Sequence, residues 1–215
     1  MNTKLVIFDM DGLMFDTETV SREAWKIAGE KVNIPVDDEL FSQFLGTNST
    51  YITNLLINKF GEDSPYKDLI SERNIMVDRL IDTNGLGVKK GLKELLSFLK
   101  SNNIKKAVAT STSRERALKL LTLGDVVNEF DYIICGDEVT KSKPDPEIFL
   151  KVAEKLNVAP ENCVVLEDSR FGVYAAKNAG MNPIMVPDLL NPDEELLGMI
   201  YKKADDLEQV IELLK

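Results

Sequence analysis

The sequence predicts an α/β protein, a doubly wound parallel sheet with an inserted block of helices. Three observations predict this fold. The apolar run at residues 5–8 is too short for a helix and is typical of a buried strand. Residues 16–87 then show helical spacing only. From about residue 89, helices alternate with short apolar strands, which predicts a parallel sheet covered on both faces.

Four helices are predicted in the inserted block, because apolar residues recur there at helical spacing in four segments. The segments lie at about 17–28, 37–45, 49–60 and 65–81. Asn48 or Ser49 can cap the third helix, and Gly61 ends it. No segment of the block has a convincing strand pattern. We therefore expect residues 16–87 to form a separate helical domain.

The sheet domain is expected to comprise residues 1–15 and 88–215. The linkers are predicted at 12–16 and 84–88, where the chain leaves and re-enters this domain. Further strands are predicted at 106–109, 132–135, 163–166 and 183–186, with helices at 92–99, 114–123, 146–156 and 172–179. A helix precedes each of these strands, which is the pattern of parallel crossover connections.

Composition excludes several classes of function. The formal net charge of −10 argues against a nucleic-acid partner. The chain contains no histidine, which excludes Ser-His-Asp catalysis, Cys-His catalysis and histidine-ligated zinc. Acid–base chemistry near neutral pH must therefore use carboxylates, lysine, tyrosine or water.

The cellular location is predicted from features that the sequence lacks. No apolar run approaches the roughly 20 residues needed to cross a membrane. The N-terminus also lacks the pattern of a secretory signal. Cys135 and Cys163 lie in apolar runs and are expected to stay reduced in the core. We expect a cytoplasmic protein without a membrane partner, and a monomer, although the apolar stripes leave an oligomer open.

Polar residues follow four of the predicted strands. Asp9 and Asp11 come directly after the first strand, and Gly12 lets the chain turn. The later strands lead to Thr110 and Ser111, to Lys143 (which we favour over Lys141), and to Glu167 and Asp168. Because the carboxyl ends of parallel strands meet at one edge of a sheet, these side chains are expected to converge there.

These residue types suit phosphoryl transfer. One carboxylate can attack as a nucleophile while a second one, two residues on, carries a proton. Mg²⁺ prefers carboxylates, phosphate oxygens and water, and it offsets the repulsion between a carboxylate and a phosphate dianion. A lysine and a hydroxyl can hold the remaining phosphate oxygens. Such a site can stabilise charge on a transferring phosphoryl group, and the expected cofactor is Mg²⁺.

Each polar segment also has a purely structural interpretation. Residues 110–112 can cap the helix that begins near Arg114, and Asp145-Pro146 forms a sound helix start. Residues 167–169 can likewise begin the following helix. Four such segments, in order, at four strand ends favour one common site over four separate caps.

The motifs resemble those of the haloacid dehalogenase-like superfamily of phosphohydrolases. Phe8-Asp9-Met10-Asp11-Gly12 is similar to the first motif and Thr110 to the second. Lys143-Pro144-Asp145-Pro146 is similar to the third, and Glu167-Asp168-Ser169 with Gly172 to the fourth. The resemblance covers essentially the whole chain, in order. It implies a Rossmann-like core, and the helical block is placed like the cap domain of the β-phosphoglucomutase-like branch.

The resemblance also implies a role for each motif residue. Asp9 would be the nucleophile that forms an aspartyl-phosphate. Asp11 would protonate the leaving group and then activate water. Mg²⁺ would be bound by Asp9, by the backbone carbonyl of Asp11 and by Asp168, with Glu167 either as a further ligand or in contact with the ligands. The phosphoryl group would be held by Thr110, by Lys143 and near Ser111.

The cap residues favour a phosphatase over a mutase. Sugar-phosphate mutases of this branch have a histidine where this chain has Ser21, and an arginine where it has Ser49. That arginine grips the non-reacting phosphate of the substrate, so a mutase would need a replacement from Arg73 or Arg114. The candidate specificity residues are Ser21, Thr47, Ser49, Arg73 and Arg114.

The predicted activity is therefore hydrolysis of the phosphate ester of a small metabolite, such as a sugar phosphate, and β-phosphoglucomutase-type mutase activity is the alternative. A phospho-accepting receiver domain would be much shorter and would lack the helical insertion. A regulatory protein that had lost catalysis would lack one of the four central residues, Asp9, Asp11, Lys143 and Asp168, which are all present. A dehalogenase usually lacks the acid that Asp11 provides.

Overall fold

The computed structural model describes residues 2–47 and 49–215. The chain divides into two compact units, Met1–Phe15 with Val88–Lys215, and Asp16–Gly87. We refer to them as the sheet unit and the helical unit. No helix in the described ranges combines the length and the apolar character needed to cross a bilayer.

The helical unit contains four α-helices among its described residues. They are α1 (Thr17–Val32), α2 (Asp38–Ser42), α3 (Ser49–Phe60) and α4 (Tyr66–Asn84). Trp25, Phe44 and Leu56 are buried in one cluster, which forms the core of this unit. Gly61 follows α3 with a φ of 90°, as its predicted place at the helix end requires. The predicted cap at Asn48 lies outside the described residues.

Six parallel strands lie in the described part of the sheet unit. They are β1 (Leu5–Phe8), β2 (Lys105–Ala109), β3 (Tyr132–Ile134), β4 (Cys163–Glu167), β5 (Asn182–Met185) and β6 (Lys202–Lys203). Their order across the sheet is β3-β2-β1-β4-β5-β6. The strand order thus reverses beside β1, and doubly wound sheets bind ligands at such a reversal, beyond the carboxyl ends of the strands.

Helices cover the two faces of this sheet. They are α5 (Leu92–Ser101), α6 (Arg114–Leu123), α7 (Glu147–Leu156), α8 (Arg170–Asn178), α9 (Glu194–Met199) and α10 (Leu207–Leu214). Ile7 shares a buried cluster with Phe149 of α7 and Ala175 of α8. Phe8 points to the opposite face, where its ring meets Phe130 edge-on with centroids 5.7 Å apart. The predicted fold class, a doubly wound parallel sheet with an inserted helical bundle, is confirmed.

Several parts of the structure depart from the predicted elements. Helix α4 continues beyond 81 to Asn84, where Gly85 follows with a φ of 83°. Helix α8 begins at Arg170, because the Ser169 hydroxyl caps it by accepting the N–H of Gly172. Beyond residue 186, for which the sequence patterns predict no elements, the chain forms α9, β6 and α10. Strand β6 has only two residues, too few for a periodic pattern.

The register of the sheet positions the polar strand ends. Phe8 pairs with Val108 on one side and with Leu166 on the other. The backbone N–H of Asp9 continues this ladder by donating to the carbonyl of Leu166 at 3.0 Å. Asp9 is therefore level with Glu167, the last residue of β4.

Candidate active site

A buried lysine joins two carboxylates at the carboxyl edge of the sheet. Nζ of Lys143 lies 2.6 Å from Oδ1 of Asp9 and 2.6 Å from Oε1 of Glu167. It also donates to the carbonyl of Ala109 at 3.1 Å. The side chains of Lys143 and Glu167 are 7% and 0% exposed. Three polar strand-end residues that are distant in sequence thus meet in a desolvated cluster.

Burial and charge together set the protonation of this cluster. Burial raises the pKa of Asp9 to about 7, although the ammonium of Lys143 opposes the rise. Burial also acts to lower the pKa of Lys143, but the carboxylates of Asp9 and Glu167 outweigh it and raise that pKa above its ordinary value. Lys143 therefore stays protonated, and Asp9 needs further positive charge to stay fully ionised near neutral pH.

The segment that carries Lys143 is anchored by Glu147, in the first turn of α7. The carboxylate of Glu147 accepts from the backbone N–H of Thr140 at 3.0 Å and of Lys141 at 2.8 Å. Its ion pair with Lys151, 2.7 Å long, is the main reason that the pKa of Glu147 falls to about 2. The side chain of Lys141 is 71% exposed, so it is Lys143 that reaches the carboxylate cluster.

The second acid of the first motif has different partners. Oδ2 of Asp11 accepts a hydrogen bond from the hydroxyl of Thr112 at 2.8 Å, and a long one from Thr110 at 3.4 Å. Oγ1 of Thr110 in turn accepts the N–H of Thr112 at 3.1 Å. Thr112 was not among the predicted site residues. The sequence signal for Thr112 is a second hydroxyl two residues after Thr110, in a segment whose purely structural interpretation is a helix cap.

Glu167 is fixed on its other side by the start of α8. Its Oε2 accepts from the N–H of Ser169 at 3.2 Å and from the Ser169 hydroxyl at 2.9 Å. Gly172, one turn on, has no side chain to displace the carboxylate, since a Cβ there would stand 1.9 Å from Cδ of Glu167. The helix start and the acidic strand end are therefore one arrangement, so the helix-start interpretation of residues 167–169 does not exclude a place for Glu167 at the sheet edge.

Three carboxylates converge at this edge. One oxygen each of Asp9, Glu167 and Asp168 lies within 4.8 Å of the other two. Gly12, with a φ of 79°, passes beside them, and a Cβ on it would stand 2.2 Å from Oδ2 of Asp168. The backbone must therefore approach Asp168 closely, which only glycine permits at this position.

Two of the predicted specificity residues of the helical unit, Arg73 and Ser21, are in direct contact. Nη2 of Arg73 donates to the buried hydroxyl of Ser21 at 2.6 Å, and the guanidinium stacks 5.4 Å from the ring centroid of Trp25. The hydroxyl of Thr47 donates to a backbone carbonyl at 2.7 Å. Ser49 is exposed at the start of α3.

The remaining two predicted residues lie in the sheet unit. The guanidinium of Arg114 forms an ion pair with Glu138 at 2.9 Å and donates to the carbonyl of Ile133 at 3.3 Å. These contacts give Arg114 a structural position at the start of α6. Ser111 is exposed. Its carbonyl packs closely on Gly136, because a Cβ on Gly136 would stand 2.1 Å from the carbonyl oxygen of Ser111.

Known proteins are similar to this chain over nearly their whole length. A sequence profile described as haloacid dehalogenase-like hydrolase matches residues 6–186. The phosphorylated carbohydrates phosphatase of Thermotoga maritima is 37% identical, covering 98% of this chain and 97% of that protein. The β-phosphoglucomutase of Bacillus subtilis is 30% identical, with 98% and 93% covered. The crystal structure of CbbY from Rhodobacter sphaeroides in complex with phosphate matches with a TM-score of 0.83 and 26% identity, covering 97% of this chain and 96% of that one.

Proposed function

Because this chain belongs to the haloacid dehalogenase-like hydrolase family, we propose that it is a metal-dependent phosphatase. Its proposed substrate is the phosphate monoester of a small metabolite, such as a sugar phosphate. The observation that carries this proposal is the contrast between Asp9 and Asp11. Asp9 is bound to the buried ammonium of Lys143, and Asp11 to the hydroxyl of Thr112. Carboxylates in such different environments can divide nucleophilic and acid–base work.

Asp9 is the nucleophile in this proposal. One of its oxygens forms a bond to phosphorus while the bond from phosphorus to the ester oxygen breaks, which gives an aspartyl-phosphate. Asp11 gives its proton to the departing ester oxygen. The Asp11 carboxylate then takes a proton from water, whose oxygen attacks phosphorus, releases phosphate and restores Asp9. The hydroxyl of Thr112 orients Asp11 for both transfers.

The residues at the sheet edge fit a divalent cation. Clustered carboxylate oxygens are the hard donors that Mg²⁺ takes. Burial alone pushes Asp9 toward its protonated form, and a cation would hold it ionised. We assign Mg²⁺ to Asp9, Asp168 and the backbone carbonyl of Asp11. When bound, Mg²⁺ supplies positive charge against the repulsion between a carboxylate and a phosphate.

Glu167 has a supporting function in this assignment. Its two oxygens already accept from Lys143 and from Ser169, so it orients the lysine and the adjacent Asp168. Lys143 in turn orients Asp9 and places a positive charge beside the carboxylate to which the phosphoryl group is transferred. Thr110 and the backbone near Ser111 complete the proposed phosphoryl site from the end of β2, which flanks β1 on the side away from β4.

Mutase activity is the second candidate, and one observation favours it. Arg73 is held against Ser21 and Trp25 in the helical unit, which keeps a guanidinium in a defined orientation. Such a group is suited to a second phosphate. Hydrolysis remains the preferred proposal, because the hydroxyl of Ser21 cannot relay protons near neutral pH as a histidine can.

The test is phosphate release from a panel of small phosphorylated metabolites with Mg²⁺, with isomerised sugar phosphate measured in the same reactions. Asp9→Asn should abolish turnover. Asp125→Asn is the matched control, because the Asp125 side chain is 93% exposed and asparagine tolerates its positive φ of 58°. Full phosphate release by Asp9→Asn would remove Asp9 as the nucleophile. Isomerisation with little free phosphate would replace the phosphatase proposal by the mutase.

A further inference from the structure

A fourth carboxylate beside the proposed cation site has no part in the mechanism above. Asp188 follows β5, and its Oδ1 accepts a hydrogen bond from Nζ of Lys89 at 2.6 Å. The side chain of Asp188 is 10% exposed and that of Lys89 is 26% exposed. The N–H of Lys89 donates to the carbonyl of Met14 at 2.9 Å. The ion pair thus connects the segment after β5 to the start of the second stretch of the sheet unit, which begins at Val88.

The other oxygen of Asp188 is buried, and among the described residues it has no hydrogen-bond partner. A buried charged acceptor is costly to leave unsatisfied, so it calls for a partner outside the chain. The position of this oxygen, Oδ2 of Asp188, indicates the kind of partner. A Cβ on Gly12 would stand 3.3 Å from Oδ2 of Asp188 and 2.2 Å from Oδ2 of Asp168. Both oxygens therefore face the same small space over the backbone of Gly12.

We infer that Asp188 is a positioning residue for the cation at this edge, an inference that rests on the function proposed above. Mg²⁺ keeps several waters when a protein binds it through one or two carboxylates. Oδ2 of Asp188 accepts a hydrogen bond from a water of that hydration shell, next to Asp168. Lys89 holds Oδ1 and so fixes the direction of Oδ2. Groups that contact a cation through its waters commonly tune its affinity.

This inference predicts an effect on Mg²⁺ binding that a purely structural ion pair does not produce. Asp188→Asn removes the charge of the acceptor that faces Asp168 across the backbone of Gly12. The variant should therefore weaken Mg²⁺ binding, whether or not the loss of the pair with Lys89 lowers the metal-free Tm. If the pair with Lys89 served the fold alone, the same variant would lower the Tm and leave Mg²⁺ binding unchanged.

Asp206, which pairs with the lysine next to Lys89, provides a matched control. Lys90 pairs with Asp206 at 2.7 Å, and Asp206 caps α10 by accepting the N–H of Gln209. Asp206→Asn removes the same charge and weakens the same kind of ion pair, while asparagine keeps the cap. This variant should bind Mg²⁺ as the wild type does.

The experiment titrates Mg²⁺ into metal-free protein by calorimetry and measures the Mg²⁺ concentration for half-maximal phosphate release. For Asp188→Asn we expect about 10- to 100-fold weaker Mg²⁺ binding, the usual effect of such contacts. The Mg²⁺ requirement should rise by the same factor, and saturating Mg²⁺ should restore kcat. Lys89→Met should weaken binding in the same direction, because Asp188 then loses its orientation.

The outcomes separate this inference from the function on which it rests. Wild-type Mg²⁺ affinity in Asp188→Asn, together with loss of binding in Asp168→Asn, would overturn the inference and leave the proposed function standing. Wild-type affinity in Asp168→Asn would overturn the cation assignment itself. If Asp206→Asn weakened Mg²⁺ binding as much as Asp188→Asn does, the effect would come from net charge rather than from the position of Asp188. That result would also overturn the inference.

Discussion

Gly172 is a position where a single added methyl group should disrupt the candidate site, because the carboxylate of Glu167 lies against it. A Cβ at 172 would stand 1.9 Å from both Cδ and Oε1 of Glu167, and 2.3 Å from Oε2. Carbon atoms pack at about 3.5–4.0 Å, so the carboxylate would have to retreat by roughly 1.5 Å. Glu167 is completely buried, so its surroundings offer little room for that movement.

The expected magnitude follows from the contacts that this movement breaks. Glu167 accepts from Lys143 at 2.6 Å and from the Ser169 hydroxyl at 2.9 Å. Breaking a buried ion pair costs about 3–5 kcal/mol, and alanine returns about 1 kcal/mol through its helix propensity. We expect Gly172→Ala to lower the free energy of unfolding by about 2–4 kcal/mol. A displacement of Lys143 by about 1 Å should lower kcat roughly 100-fold.

Gly198 provides the matched control. It also lies in a helix, α9, but a Cβ there would meet nothing within 4 Å. Gly198→Ala should therefore be neutral or stabilise the protein by about 0.5–1 kcal/mol. Urea unfolding in EDTA measures the stability of both variants, and phosphate release with Mg²⁺ measures kcat.

The reasoning fails if Gly172→Ala unfolds and turns over like the wild type. A variant that does not fold still leaves a test, because the shorter side chain of Glu167→Asp withdraws the carboxylate from position 172. The double variant Gly172→Ala with Glu167→Asp should be more stable than Gly172→Ala alone. No recovery of stability in the double variant would show that the clash at Glu167 is not the cause.

Three further predictions concern protonation and the cation. EDTA should stop phosphate release and added Mg²⁺ should restore it, whereas full activity in EDTA would remove the cation from the mechanism. Folding raises the pKa of Asp9 from 3.8 to about 7, so the folded state binds more protons in that window. The metal-free stability of the wild type, measured relative to Asp9→Asn, should fall as pH rises from about 4 to about 7, and a difference independent of pH would contradict this. The pKa of Glu147 shifts in the opposite direction, from 4.5 to about 2. The contribution of Glu147 to folding stability is therefore present above pH 4.5 and is lost as pH falls toward 2. Glu147→Gln should lower the Tm at pH 7 and should also reduce kcat by loosening the segment before Lys143, and an unchanged Tm would count against that anchor.

Much of the fold and the edge of the candidate site follow from local patterns. A strand of apolar residues ends where polar residues begin, and parallel strands place all such ends together. Asp9, Lys143 and Glu167 could therefore be assigned to one cluster, although 134 positions separate the first two. Lys143 is favoured over Lys141 in the sequence, and the structure supplies a physical reason, since of these two lysines only Lys143 is buried against the carboxylates.

Contacts that depend on tertiary geometry could not be predicted in this way. Thr112 and Ser169 read as helix-capping residues, and no pattern shows that their hydroxyls also bind Asp11 and Glu167. Arg114 was a candidate substrate contact because arginine binds phosphate, but its ion pair with Glu138 arises from a turn more than 20 positions away. Pairings of this kind are set by packing, and neither spacing nor composition records them.

The distribution of charge distinguishes residues that serve function from residues that serve the fold. At the sheet edge Asp9 and Glu167 share one ammonium group, that of Lys143, and burial is the main reason that the pKa of Asp9 is raised. Neutralising Asp9 should therefore stabilise the metal-free protein near neutral pH while it abolishes turnover. Asp206 has the reverse character, because Lys90 lowers its pKa and its neutralisation should weaken the fold without affecting the site. A stability gain that accompanies a functional loss is thus the signature expected of Asp9, whereas displacing the carboxylate of Glu167 is expected to cost both stability and turnover. Stability and phosphate release measured on the same variants will distinguish these two kinds of carboxylate.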